Sequence, residues 1–266
     1  MKIQLSNFTM AYEDTGRGRP ILFVHGYPLG RRIWQPQLQH LLGSARILAP
    51  DLRGHGDSEY TPGPFTMEQH ADDCAEFLKA HGVEEPVILC GLSMGGYASF
   101  QFVQKYPERV AGLVLAATRA AADDAEGKTA RDAAIQRARA EGMGAVCAQM
   151  LPKLLTEHTR RQKPKVVELV ERTILKNSAD AAIADLEGMK QRPDMRASLA
   201  AIDVPTLILH GANDCLIPQV EAEAMRDAIP NAELHVLEGA AHLLNVEQPA
   251  AFNEKIKAFY RRVWAH

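Results

Sequence analysis

Along the first 117 residues, short runs of consecutive apolar side chains alternate with stretches in which apolar residues return every three or four positions. Ile21–His25, Ala45–Pro50, Val87–Cys90 and Val110–Ala116 lack polar alternation, the pattern of strands buried on both faces. Arg31–Leu42, Thr66–His81 and Met94–Tyr106 carry the helical period, and Lys2–Tyr12 alternates as a hairpin does. Strands and helices in alternation predict an α/β fold with a parallel sheet covered by helices and joined by right-handed crossovers.

From Arg119 to Asp194 the pattern changes: apolar residues keep helical spacing and no strand is expected. Helices are predicted over Asp123–Glu141, Gly144–Thr156, Lys165–Lys176 and Ser178–Gln191, punctuated by Gly142, Pro152, Pro164 and Pro193. This segment reads as an insert that divides the core into 1–118 and 195–266. The earlier pattern resumes with strands Val204–Gly211 and Ala232–Gly239, a helix over Gln219–Ala228, and a closing amphipathic helix over Gln248–Val263.

At 266 residues with 46% hydrophobic content, the chain can bury one large core with an accessory unit, not two full domains. Its 33 acidic and 30 basic residues are intermixed, with net charge −3, so no basic face for nucleic acid stands out. The densest basic run, TRRQKPK at Thr159–Lys165, reads as a solvated helix entry. The N-terminus lacks the apolar core of a signal peptide, and no stretch approaches the length of a membrane span, so a cytoplasmic location away from membranes is expected. Cys74, Cys90, Cys147 and Cys215 are scattered without metal-ligand spacing and read as free, mostly buried thiols; neither metal nor cofactor is expected.

The candidate chemistry lies in PVILCGLSMGGYASF, Pro86–Phe100. The pattern G-x-S-x-G at Gly91–Gly95 is short enough to arise by chance, and a helix N-cap serine followed by flexible glycines is its structural alternative. Its position gives it meaning: Ser93 follows a buried strand and opens a helix, where a strained turn lifts the hydroxyl above the sheet edge. Gly91 and Gly95 omit Cβ atoms that would collide there, and Gly96 lets the helix pack closely. A serine hydroxyl needs a base to become nucleophilic, and the base needs a third group to fix its tautomer. On such a fold the acid and then the histidine follow at the ends of later strands. Asp214 in LILHGANDCLIP and His242 in HVLEGAAHLLNVEQP stand there. Asp51, Asp57, Asp123 and Asp124 compete as acids and His210 and His235 as bases, but both rival histidines fall inside strands.

In these elements the sequence resembles the α/β-hydrolase superfamily over nearly its full length: HGYP at His25–Pro28, DLRGHGDS at Asp51–Ser58, GLSMGG at Gly91–Gly96, GANDCLIP at Gly211–Pro218 and GAAH at Gly239–His242. It looks most like small bacterial carboxylesterases, enol-lactonases and cofactor-free perhydrolases. The resemblance implies an eight-stranded, mostly parallel sheet flanked by helices, with the insert (119–194) as a helical cap between strands 6 and 7. It also implies that the backbone N–H groups of Tyr27 and Met94 stabilise an oxyanion, with His25 bracing its loop. Gly54, His55 and Gly56 hint at a dinucleotide loop, but Glu59 stands where the third glycine is required, and Arg53 and Asp57 are read as loop anchors.

The expected activity is hydrolysis of short to medium acyl esters through an acyl-enzyme. The alternatives are a lactonase, a perhydrolase or a carbon–carbon bond hydrolase, or a ligand receptor without turnover on the same scaffold. A serine at 93 argues against epoxide hydrolases and haloalkane dehalogenases, which need a carboxylate nucleophile. Trp34, Leu92, Leu216 and Ile217 are candidate pocket walls, with Met150, Leu154 and Met189 from the insert, although apolar residues at such spacing also suit a core. No Arg or Lys can be assigned to a substrate carboxylate, which weakens the enol-lactonase option. The expected partner is a small-molecule ester; the sequence leaves open a monomer or a homo-oligomer.

Overall fold

A computed structural model describes residues 1–265; residue 266 of the expected core lies outside them. The strands are β1 (Lys2–Gln4), β2 (Thr9–Gly16), β3 (Pro20–Val24), β4 (Arg46–Pro50), β5 (Val87–Leu92), β6 (Val110–Ala116), β7 (Thr206–Gly211) and β8 (Ala232–Leu237). They form one sheet in the order β1-β2-β4-β3-β5-β6-β7-β8. β2 runs antiparallel to its neighbours β1 and β4, and every other pairing is parallel. The hairpin extends to Gly16, past the expected Tyr12, because the far half of β2 pairs with β4.

Helices cover both faces: α1 (Gln35–Leu41), α2 (Met67–Ala80), α3 (Met94–Lys105), then α4 (Ala125–Leu154), α5 (Glu157–Gln162), α6 (Pro164–Leu175) and α7 (Ala179–Gln191) between β6 and β7, and finally α8 (Gln219–Ala228), α9 (Leu244–Glu247) and α10 (Pro249–Val263). The two faces explain the unalternated strands. In β3, Leu22 and Val24 join one apolar cluster with Phe77, Phe100 and Phe102, while Ile21 and Phe23 join another with Trp34, Phe252 and Phe259. Each such side chain, fully removed from water, contributes about 1.5–3 kcal/mol.

In the insert, the two helices expected on either side of Gly142 are both present: Gly142, at φ 71° and ψ −170°, breaks the helical backbone within the run Ala125–Leu154. Pro152 sits within the last turn of that run instead of ending it. Two short helices, α5 and α9, were not expected; α5 holds part of the basic run and begins where the Thr156 side chain accepts from the Thr159 N–H. Among the described residues, no helix is long and apolar enough to cross a membrane.

Parallel register brings the strand ends to one edge. Val24 lies beside Gly91, Leu92 beside Ala116, and Gly211 beside Leu237. The loops that carry Tyr27, Ser93, Asp214 and His242 all leave from this edge.

Candidate active site

Ser93 sits between β5 and α3 with φ 53° and ψ −113°, a backbone region that a residue with a Cβ enters at a cost of about 1–3 kcal/mol. The turn is held from both sides: Ser93 N–H donates to Ala116 O at 2.9 Å, and Thr118 Oγ1 donates to Ser93 O at 2.8 Å. A Cβ on Gly95 would stand 2.2 Å from Val24 O, and one on Gly91 2.4 Å from Gly95 O, so the turn closes only with glycine at both places.

His242 follows β8, and Asp214 follows β7. His242 Nδ1 lies 2.8 Å from Asp214 Oδ2, and the other carboxylate oxygen accepts from the N–H groups of Leu216 (2.8 Å) and Ile217 (3.1 Å). Burial works to raise the Asp214 pKa, but the His242 ring and these two N–H groups outweigh it and hold the carboxyl below its ordinary value. An ionised carboxylate only accepts, so Nδ1 carries the hydrogen and Nε2 is left free to accept a proton. The histidine loop is tied down in turn by Glu247, which is fully buried: Oε2 accepts from Ala241 N–H at 2.6 Å, and Oε1 from the Thr156 N–H (2.8 Å) and hydroxyl (2.7 Å).

Ser93 and His242 meet on the wall of a cavity of about 260 Å³ between the strand ends and the insert. Among the described residues no hydrogen bond links the two; in free enzymes such bonds are often long and tighten only with substrate. Tyr27 also lines this cavity. Neither the Tyr27 nor the Met94 N–H donates to another group among the described residues. A larger cavity of about 570 Å³ opens beside α5 and is lined by Lys153, Arg160 and Lys163, but Ser93, Asp214 and His242 do not face it.

Each rival acid has another task. Asp124 caps α4. Asp51 pairs with Arg31, and Asp57 with Arg31 and Lys176. Asp123 holds three arginines: Arg119 at 2.6 Å, Arg131 at 2.7 Å and Arg192 at 2.9 Å. Burial opposes its ionisation, but Arg192 and Arg131 keep it well below the usual carboxylate range. His210 and His235 lie within β7 and β8. His25 is a brace: Nε2 accepts from Leu52 N–H at 2.9 Å, which leaves Nδ1 to donate to Gly26 O at 3.0 Å, and burial together with the nearby His55 lowers its pKa to about 3. Arg53 is an anchor as well, donating to Asp73, Thr61 and Asn7.

Leu216, Ile217, Met150 and Met189 line the cavity. Trp34 and Leu92 do not, which corrects the expectation that they are pocket walls. Trp34 is fully buried, with its ring 4.7 Å from that of Phe23 and 6.2 Å from that of Phe252, and Leu92 lies in the same apolar cluster. Leu154 is likewise in the core. Arg119 and Arg131 face the cavity, a feature that sequence reasoning missed. They come from the loop after β6 and from the second turn of α4, with no local motif to join them; only Asp123 between them hinted at a charge cluster.

Three comparisons bear on this arrangement. A thermophilic esterase from Thermogutta terrifontis, with malate bound, superposes with a TM-score of 0.95 at 40% identity, covering 99% of this chain and 98% of that one. A 3-oxoadipate enol-lactonase from Acinetobacter baylyi is 27% identical across 91% of this chain and 88% of its own length. A non-heme haloperoxidase from Rhodococcus erythropolis is 30% identical across 87% and 88%. The family model for the alpha/beta hydrolase fold matches residues 19–249, and with the sheet order above it shows that the chain belongs to the alpha/beta hydrolase family.

Proposed function

We propose that this hydrolase cleaves carboxylic esters through Ser93, His242 and Asp214. The observation that carries the reading is a hydroxyl on a strained strand-to-helix turn sharing one cavity with an imidazole whose Nδ1 is already committed to a buried carboxylate. Nε2 of His242 takes the Ser93 proton as Oγ bonds to the ester carbonyl, and the N–H groups of Tyr27 and Met94 hold the oxyanion. The carbonyl reforms, the C–O bond to the alcohol breaks, and the alcohol leaves with the proton from His242. Water, deprotonated by the same ring, then attacks the acyl-enzyme and releases the acid and Ser93. Purified protein should hydrolyse 4-nitrophenyl butyrate with a burst of nitrophenol, and Ser93→Ala should lose activity by a factor on the order of 10³ or more. Undiminished turnover by that variant would overturn the reading.

A second reading of the substrate is favoured by Arg119 and Arg131. With Lys153 they place three cations on the cavity wall against the single carboxylate of Asp123, so the wall keeps an excess of positive charge. That suits an ester or lactone with a carboxylate of its own, in line with relatives named as an enol-lactonase and as an esterase with malate bound. Esters of equal length with and without a terminal carboxylate separate the two: the anionic reading expects kcat/KM at least about 10-fold higher for the acid, a preference that Arg131→Ala removes. Equal rates on the pair would assign the cavity to neutral esters.

A further inference from the structure

Resting on the ester-hydrolase reading, we propose that Asn177 is the positioning residue that sets the Tyr27 oxyanion donor from the insert. Asn177 lies between α6 and α7, is buried, and has its own N–H bound to Ile174 O at 3.1 Å. Its side chain leaves the insert entirely. Nδ2 donates to Pro28 O at 2.7 Å and to Leu29 O at 2.9 Å, and Oδ1 accepts from Gly56 N–H at 2.8 Å. The orientation of the amide is fixed by its surroundings: two carbonyls only accept and one N–H only donates, so the flipped amide would fail at all three contacts. One side chain thus spends all its strong donors and an acceptor on two loops that are about 150 and 120 positions away in the chain.

The first of those loops holds Tyr27 immediately before the two carbonyls that Asn177 clamps. Within it, Leu29 N–H donates to Gly26 O at 2.9 Å. On its other side the loop is pressed against the serine turn, where a Cβ at Gly26 would stand 2.9 Å from Leu92 O and 3.0 Å from Ser93 Cβ. Between the serine turn and the Asn177 clamp, the Tyr27 N–H has little freedom to move. An oxyanion donor works only within a few tenths of an ångström of the position where charge develops, so the clamp acts on the transition state more than on bound substrate. The second loop, with Gly56, belongs to the DLRGHGDS segment, which supplies no group to the cavity. Asn177 gives that segment a task, as the footing that braces the clamp.

The test compares Asn177→Leu and Asn177→Asp with the parent enzyme and with Asn253→Ala. Asn253 is a buried amide on α10, bonded to Gln37 and not part of the cavity lining, and serves as a control for lost stability alone. The aspartate variant keeps the volume and the acceptor for Gly56 N–H, loses the two donors, and gives a second route should the leucine variant not fold. Per active site titrated with a phosphonate, both Asn177 variants should lose about 10- to 100-fold in kcat with KM changed less than threefold. Affinity for an alkyl boronic acid, which forms a tetrahedral adduct on serine, should fall in parallel, while inhibition by the product acid stays constant. Asn253→Ala should melt earlier with kcat unchanged. The proposal is overturned if either Asn177 variant keeps kcat within twofold per titrated site, or if boronate and product affinities fall together. Absence of Ser93-dependent turnover in the parent enzyme would instead remove the ester-hydrolase reading itself.

Discussion

The strand-end loops and the inserted helices line the same cavity, yet they are organised on opposite terms. The loops present Ser93, Asp214 and His242, each placed by a strand that ends at the same sheet edge and held there by neighbours at that edge: Asp214 by the N–H groups of Leu216 and Ile217 in its own loop, Ser93 by Thr118 just past the adjacent strand. The insert presents Arg119, Arg131, Leu186 and Met189, and it is fastened to the core by long-range polar contacts, Asn177 to Pro28 and Asp185 to His55 and His70. The difference teaches a division of labour. The edge of a rigid parallel sheet fixes the groups to which the proposed mechanism assigns the reaction, whereas the insert fixes the shape and charge of the space in front of them, and its placement depends on a few buried anchors.

The largest effect should come from the loops. Asp214→Asn keeps the size of the side chain but removes the charge that orients His242 and offsets its proton. Steady-state kinetics should show kcat reduced about 10³-fold or more, with the melting temperature within about 5 °C of the parent. A variant that melts far earlier yet keeps its rate would break the division, because a loop residue would then be acting as an anchor.

The next effect belongs to the anchors. Asp185, on α7 beside the cavity residue Leu186, is completely buried. His70 Nε2 donates to its Oδ1 at 2.9 Å; His55 Nε2 stands 2.9 Å from Oδ2 in an ion contact that is not an aligned hydrogen bond. His55 Nδ1 faces Arg53 O at 3.0 Å, so both ring nitrogens meet acceptors, an arrangement that favours the charged ring. Burial works against both charges, yet the pair prevails: His55 is raised above its ordinary value and Asp185 lowered to about 2. The raised histidine contributes stability that is complete below about pH 6.5, its unfolded value, and is lost as pH rises through the folded one; the lowered carboxylate contributes above about pH 4, and loses it as pH falls toward 2. Asp185→Asn should therefore cost on the order of 3 kcal/mol by chemical denaturation at pH 5.5, with a smaller difference at pH 9. A difference that is constant across this range would show that the anchor is not ionic.

This division also explains how much of the site the sequence disclosed. G-x-S-x-G after an unalternated strand, and Asp214 and His242 after two more, are legible because a strand end puts a residue at the sheet edge whatever the rest of the chain does. The faces of β3 were legible for the same reason, since apolar residues at both parities require cover on both sides. Trp34 was misjudged because nearness in sequence to the Tyr27 loop says nothing of direction: the chain turns it into the cluster of Phe23 and Phe252. Arg131, Asn177 and Asp185 were illegible since each acquires its role from a partner on another element, and helical periodicity records only which face is apolar.

The smallest effect sharpens the comparison within the insert itself. Arg161 and Glu157 form an ion pair at 2.5 Å one turn apart on α5, with side chains 73% and 64% exposed. It is shorter than either contact of Asp185, so distance alone would rank it as the stronger. Burial reverses that order: water and salt screen the exposed pair, and holding two long side chains in one geometry offsets most of the attraction. Arg161→Ala should change unfolding free energy by no more than about 0.5 kcal/mol, with that difference shrinking in high salt and kcat/KM for an ester unaltered. A loss as large as that from Asp185→Asn would mean that the surface of the insert, and not its buried anchors, holds it over the strand ends, and the contrast between the two regions would then need to be drawn elsewhere.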